Sequence, residues 1–144
     1  MEKKMKIKLI PTFIISFIIS SSALADNNCF VIGFHEPHTH TYDGPTFCNK
    51  ARFQDITVHG PLQIKYSEIL GQINVSGPIN VSSAKLGAIL INKQFSSQKI
   101  SLKNGSSVRG NIVFLGSPGV VFKSADSTIA GKVINGHVEV IKAK

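Results

Sequence analysis

Acidic residues are scarce in this chain: eight Asp and Glu stand against sixteen Lys and Arg in 144 residues. They are scattered, and Glu36 with Asp43 is the only close pair, which supplies a two-carboxylate glycosidase poorly. Gly-x-Ser-x-Gly is missing too, since Gly116-Ser-Pro-Gly119 is a turn composition, not a nucleophile elbow. Walker and dinucleotide-binding fingerprints are absent. Asp55 and His59 are four apart, which on a strand only puts them on one face, and no serine is tied to them. No catalytic constellation emerges, so the expectation is a protein that is not an enzyme.

Cysteine is equally sparse, with Cys29 and Cys48 the only two. The segment before them reads as a secretory signal peptide over residues 1–25. Lys3, Lys4, Lys6 and Lys8 form a basic start, Leu9 to Ile19 a short apolar core, and Ala23-Leu-Ala25 the small residues of a cleavage site. The apolar run is too short to span a bilayer comfortably, so no stable membrane insertion is expected after cleavage. The expected location is secreted or periplasmic. There an even pair of cysteines fits a structural disulfide, with a catalytic thiol or a metal ligand as the competing readings.

What the chain does have is a five-residue phrase, Gly-x-(Ile/Leu/Val)-x-(Ile/Val/Phe). It reads Gly60-Pro-Leu62-Gln-Ile64, Gly71-Gln-Ile73-Asn-Val75, Gly77-Pro-Ile79-Asn-Val81, Gly87-Ala-Ile89-Leu-Ile91, Gly110-Asn-Ile112-Val-Phe114 and Gly136-His-Val138-Glu-Val140. Each is a turn residue followed by a strand that sends its aliphatic side chains to one face. The twelve aliphatic and aromatic positions in these phrases are expected to point inward. Ile100-Ser-Leu102 keeps the two aliphatics but has Gln98 where the glycine would be.

A longer period overlies the phrase. His59-Gly-Pro-Leu aligns with Ser76-Gly-Pro-Ile, Ser67-Glu-Ile-Leu-Gly with Ser83-Ala-Lys-Leu-Gly, and Ser107-Val-Arg-Gly with Thr128-Ile-Ala-Gly. Such spacings fit one coil of a β-solenoid, in which each coil buries its apolar face on the next. The predicted fold is therefore all-β, a short-stranded parallel β-solenoid over residues 55–144. Residues 26–54, with both cysteines, form a disulfide-pinned N-terminal cap. Asn104-Gly105 and Asn135-Gly136 are hairpin signals, which keep a β-sandwich or meander as the alternative. Val75-Ser-Gly-Pro-Ile-Asn-Val and Ser83-Ala-Lys-Leu-Gly-Ala-Ile-Leu-Ile resemble the repeats of bactofilin-type β-solenoids, polymer-forming bacterial scaffold proteins; the likeness covers residues 58–140. It implies a solenoid that tends to associate, and it transfers no catalytic residue.

One local cluster could carry chemistry. His35, His38 and His40, with Asp43, could supply N and O ligands to zinc or copper, while the bland alternative is a solvated polar loop around Pro37. Removal of the signal takes away four lysines and Glu2, so the formal charge falls from +8 to +5. Lysines at 50, 65, 85, 93, 99, 103, 123, 132, 142 and 144 are spaced so evenly that they are read as solubility charge and not as a patch. The sharper alternative is attraction to an anionic surface; no nucleic-acid partner is expected. Serines, threonines and asparagines on outward strand positions suit stacking against other chains or sugars. The functional expectation is an exported, non-enzymatic β-repeat protein with a structural, adhesive or surface-binding role. It would self-associate through the solenoid ends or engage a glycan or cell-surface partner. A metal-binding module built on the loop 35–43 is the alternative.

Overall fold

The computed structural model describes residues 28–35, 39–92 and 98–142. The signal segment lies outside them. Among the described residues there are seventeen short strands and no helix. The first five are β1 (Cys29–Val31), β2 (Phe34–His35), β3 (Thr41–Asp43), β4 (Thr46–Asn49) and β5 (Arg52–Phe53). Next come β6 (Ile56–His59), β7 (Leu62–Lys65), β8 (Glu68–Val75), β9 (Ile79–Ser82) and β10 (Lys85–Ile91). The last are β11 (Gln98–Lys103), β12 (Ser107–Val108), β13 (Ile112–Phe114), β14 (Gly119–Ser124), β15 (Thr128–Ile129), β16 (Val133–Ile134) and β17 (Gly136–Ile141).

They coil into a β-solenoid of about six turns with two facing parallel sheets. One sheet runs β1-β4-β7-β9-β11-β14-β17, and the other follows β15-β12-β10-β8-β6-β3-β2 with β5, β13 and β16 alongside. Register makes straight columns of like residues. Thr46, Leu62, Ile79, Ile100, Val121 and Val138 form one inward column, and Ile56, Ile73, Ile89, Ile112 and Val133 another on the opposite sheet. Ten of the twelve phrase positions are buried as expected; Val138 and Val140 are exposed because no described residue lies over the final coil.

The phrase glycines also stack. A Cβ on Gly77 would lie 2.5 Å from the carbonyl carbon of Gly60, and one on Gly131 would collide with the Gly110 carbonyl. Glycine is thus required by close approach between coils at the corners. Opposite, small buried side chains turn the chain: Ala51, Ser67, Ala84, Ser106 and Ser127. The Ala51 amide donates to Ser67 Oγ at 3.0 Å and the Ser106 amide to Ser127 Oγ at 3.2 Å, so buried hydroxyls satisfy the corner backbone.

Both Asn-Gly pairs are corners of the coil and not hairpins. Asn104 and Asn135 take left-handed backbone angles, φ 54° and 60°, and the strands around them pair in parallel with neighbouring coils. One sequence alignment needs correction. Leu86 pairs with Ile69, not Leu70; β8 then carries one extra residue at Leu70 and Gly71 against Gly87, and the expected match resumes at Gln72 with Ala88.

The solenoid begins earlier than residue 55. β3, β4 and β5 already pair in parallel with β6, β7 and β8, so most of the segment read as a cap is the first coil. Capping falls to β1 and β2, which run antiparallel to β4 and β3 and so end the parallel stack. Cys29 faces Cys48 across the β1–β4 pair, and the two are joined in a disulfide. Cys48 is buried and heads the inward column of Ile64, Val81 and Leu102.

Candidate functional site

The histidine segment carries the metal-ligand set expected from the sequence, His35, His38, His40 and Asp43. His38 lies outside the described residues. His35, at the end of β2, stacks on Tyr42 with ring centroids 4.5 Å apart and planes 8° from parallel. Its Nδ1 lies 3.2 Å from the Thr41 carbonyl oxygen. His40 packs edge-on against Phe53 at 4.7 Å, with Nδ1 at 3.2 Å from the Asp55 carbonyl oxygen. Asp43 takes a different partner, because register places it opposite His59 on the next coil, with Oδ1 2.5 Å from His59 Nδ1. Among the described residues, no three His, Cys, Asp or Glu side chains gather at a spacing that could hold a metal ion. Asp55, paired with His59 in the sequence reading, instead accepts the Gln72 amide at 2.7 Å and supports the bulged corner.

The ends of the stack are where apolar side chains stay open. Two inward columns finish at Val138 and Val140, which are 39% and 56% exposed; on the coil before, the first holds buried Val121 and the second half-buried Lys123. Ile134 and Ile141 are exposed beside them. A concavity of about 610 Å³ opens there, lined by Lys123, Ser127, Ile129, Val133, His137 and Val138. Lys123 occupies the inward column between Leu102 and Val140, and its Nζ donates to the Ser127 carbonyl oxygen at 2.8 Å. A lysine can lay its stem along an apolar wall while its head reaches a polar group. The core thus ends in an ammonium. On the final coil, β15, β16 and β17 each pair on one side only among the described residues. Their other backbone edges form an open template for strand addition.

The opposite end has its own exposed apolar set, Phe30, Ile32 and Phe34, with Phe30 beside Phe47 on the outer face. Sequence reading missed these, although the alternation of Phe30, Ile32 and Phe34 was visible. The disulfide is compatible with an oxidising compartment. No helix among the described residues is long and apolar enough to cross a membrane. Compared with family models, curated proteins and solved structures, the chain matches none.

Proposed function

We propose that this is an exported, non-enzymatic β-repeat protein with a structural or adhesive role, and that it associates with copies of itself through the open end of its final coil. The observation that carries this reading is the exposure of Val138 and Val140, which occupy core columns and have no coil over them among the described residues. Apolar surface in contact with water favours burial by association, at roughly 25 cal/mol per Å² removed from water. The free strand edges supply backbone hydrogen bonds to a second chain in the same place. β1 and β2 close the other end with reversed strands, which gives the stack a direction.

Sedimentation over a wide concentration range tests this. The wild-type chain should self-associate, and Val140→Lys should shift it toward monomer without unfolding it. A wild-type protein that stays monomeric at high concentration would overturn the reading. The metal alternative is separated by calorimetry with zinc and copper: sub-micromolar affinity lost on substituting His35 and His40 would favour it.

A further inference from the structure

The even lysine spacing carries a different message once the coils are stacked. Lys50, Lys65, Lys85 and Lys103 recur at about the coil period, so stacking gathers them along one corner. Lys65 and Lys103 both flank Ser82 in one outward column, two rungs or roughly 10 Å apart. Lys85 follows Glu68 on the adjoining sheet, and Glu68 is already shared with Arg52, 3.7 Å away. Among the described residues, none of the four lysines has a carboxylate within ion-pair reach. The expectation of a dispersed solubility charge does not hold for this corner.

The corner backbone is unusual in the same place. Lys50, Tyr66, Ser83 and Asn104 occupy one turn position on successive coils, and all have left-handed angles, φ 56°, 49°, 54° and 54°. Only asparagine among them tolerates that region well; a lysine or an exposed tyrosine there costs stability. Residues held in such conformations cluster where a side chain is used. Tyr66 is 62% exposed and stands between Lys50 and Ser83 in this turn column. A concavity of about 430 Å³ is lined by Lys50, Arg52, Tyr66, Glu68, Ser83 and Lys85, three cations to one carboxylate, and one of about 320 Å³ by Gln63, Lys65, Asn80, Ser82 and Lys103. The two adjoin at Ser82 and Ser83.

We propose that this corner is a binding ridge for a linear acidic polysaccharide, with the four lysines pairing with its acidic groups and Tyr66 stacking on a sugar ring. This deepens the adhesive part of the reading above and does not depend on the open coil end. Lysines two rungs apart match acidic groups on alternate sugars of an extended chain, and Gln63, Asn80 and Ser82 offer amides and a hydroxyl to sugar hydroxyls. A single-stranded nucleic acid would call for successive aromatic platforms, and the ridge has one.

The test titrates the chain lacking residues 1–25 with polygalacturonate, with neutral dextran and with single-stranded DNA, at low and at high salt. Polygalacturonate should bind, dextran should not, and affinity should fall with salt. Lys65→Gln with Lys103→Gln should weaken binding by roughly tenfold, while Lys132→Gln, away from the ridge, should leave it unchanged. Tyr66→Asn should weaken binding and raise the melting temperature, a combination that a purely structural tyrosine would not produce. No binding to polygalacturonate at low salt overturns the proposal. So does DNA binding of equal strength that is indifferent to Tyr66, which would show plain attraction to any polyanion. Repeating the titration on Val140→Lys separates the two surfaces: a monomeric variant that still binds polygalacturonate is expected, a monomeric variant that no longer binds sinks only the ridge, and a variant that binds but still associates sinks only the coil-end contact.

Discussion

Val121 and Val138 stand in register on neighbouring coils, yet Val121 is fully buried and Val138 keeps 39% of its surface open. The side chains are the same; the difference is that no described coil lies over Val138. A charge at the two sites should therefore have unequal effects. Val140→Lys or Val138→Asp meets water, and the cost should stay within about 1 kcal/mol. Ile79→Asp places an unpaired charge in a sealed column and should exceed the few kcal/mol that hold so small a domain together. Thermal melts of the variants check this: a folded Ile79→Asp protein with an unchanged midpoint would show that the inward face is misassigned.

The disulfide ties the reversed capping strand to the first coil across a sequence separation of 19. Closing such a loop restricts the unfolded chain, and removing the bond should cost about 3 kcal/mol. Thiol titration of the denatured, unreduced protein should find no free thiol. Cys29→Ser should lower the denaturation midpoint and leave the later coils least affected in hydrogen exchange. Equal loss of protection in all coils would mean that the stack unfolds as one unit with its cap.

The repeat phrase revealed the strands because the solenoid uses a local rule, glycine at a corner and aliphatics at alternate positions, in nearly every coil. It could not reveal that Val138 and Val140 would stay open, since periodicity says which way a side chain points and not what lies above it. The histidine segment misled for a related reason. His35, His40 and Asp43 are close in sequence, but register across coils sends Asp43 to His59 and the two rings to Tyr42 and Phe53. The basic corner was hidden because insertions make the coil length vary. Leu62 to Ile79 is 17 residues and Ile79 to Ile100 is 21, so no fixed spacing marks the lysines that meet.

Gln98 is the exception that the phrase already displayed, and the structure explains it. It lies in register with Gly119 and Gly136, in the corner position where other coils have glycine, and it is almost wholly buried. Its Nε2 donates to the carbonyl oxygens of Asn92 and Leu115, at 3.2 and 3.1 Å, so the side chain bridges two carbonyls at this corner. Its Oε1 is buried and has no hydrogen-bond partner among the described residues. Gln98→Ala should cost about 1–3 kcal/mol by stripping two carbonyls of their donor. Gln98→Glu should cost more, because it buries a charge and loses the same donor. Denaturant midpoints that leave Gln98→Glu as stable as wild type would show that the site is wetter than its burial suggests.

Tyr42 provides the alkaline limit. It is buried between His35 and the first coil, and desolvation holds its phenol above the usual value of 10.0. A raised acid in the folded state means that, above pH 10, the unfolded chain loses this proton first. Stability is therefore in full at neutral pH, where both states keep the proton, and declines as pH rises through that range. Asp126 works at the other end: its hydrogen bond from Ser124, then the Gly105 backbone, hold its carboxyl below the ordinary value. Its contribution is present at neutral pH and is lost as acid protonates it. Denaturant midpoints measured from neutral to strongly alkaline pH should fall for wild type and fall less for Tyr42→Phe, which has no proton to lose. Parallel decline in the two proteins would place the alkaline sensitivity away from Tyr42.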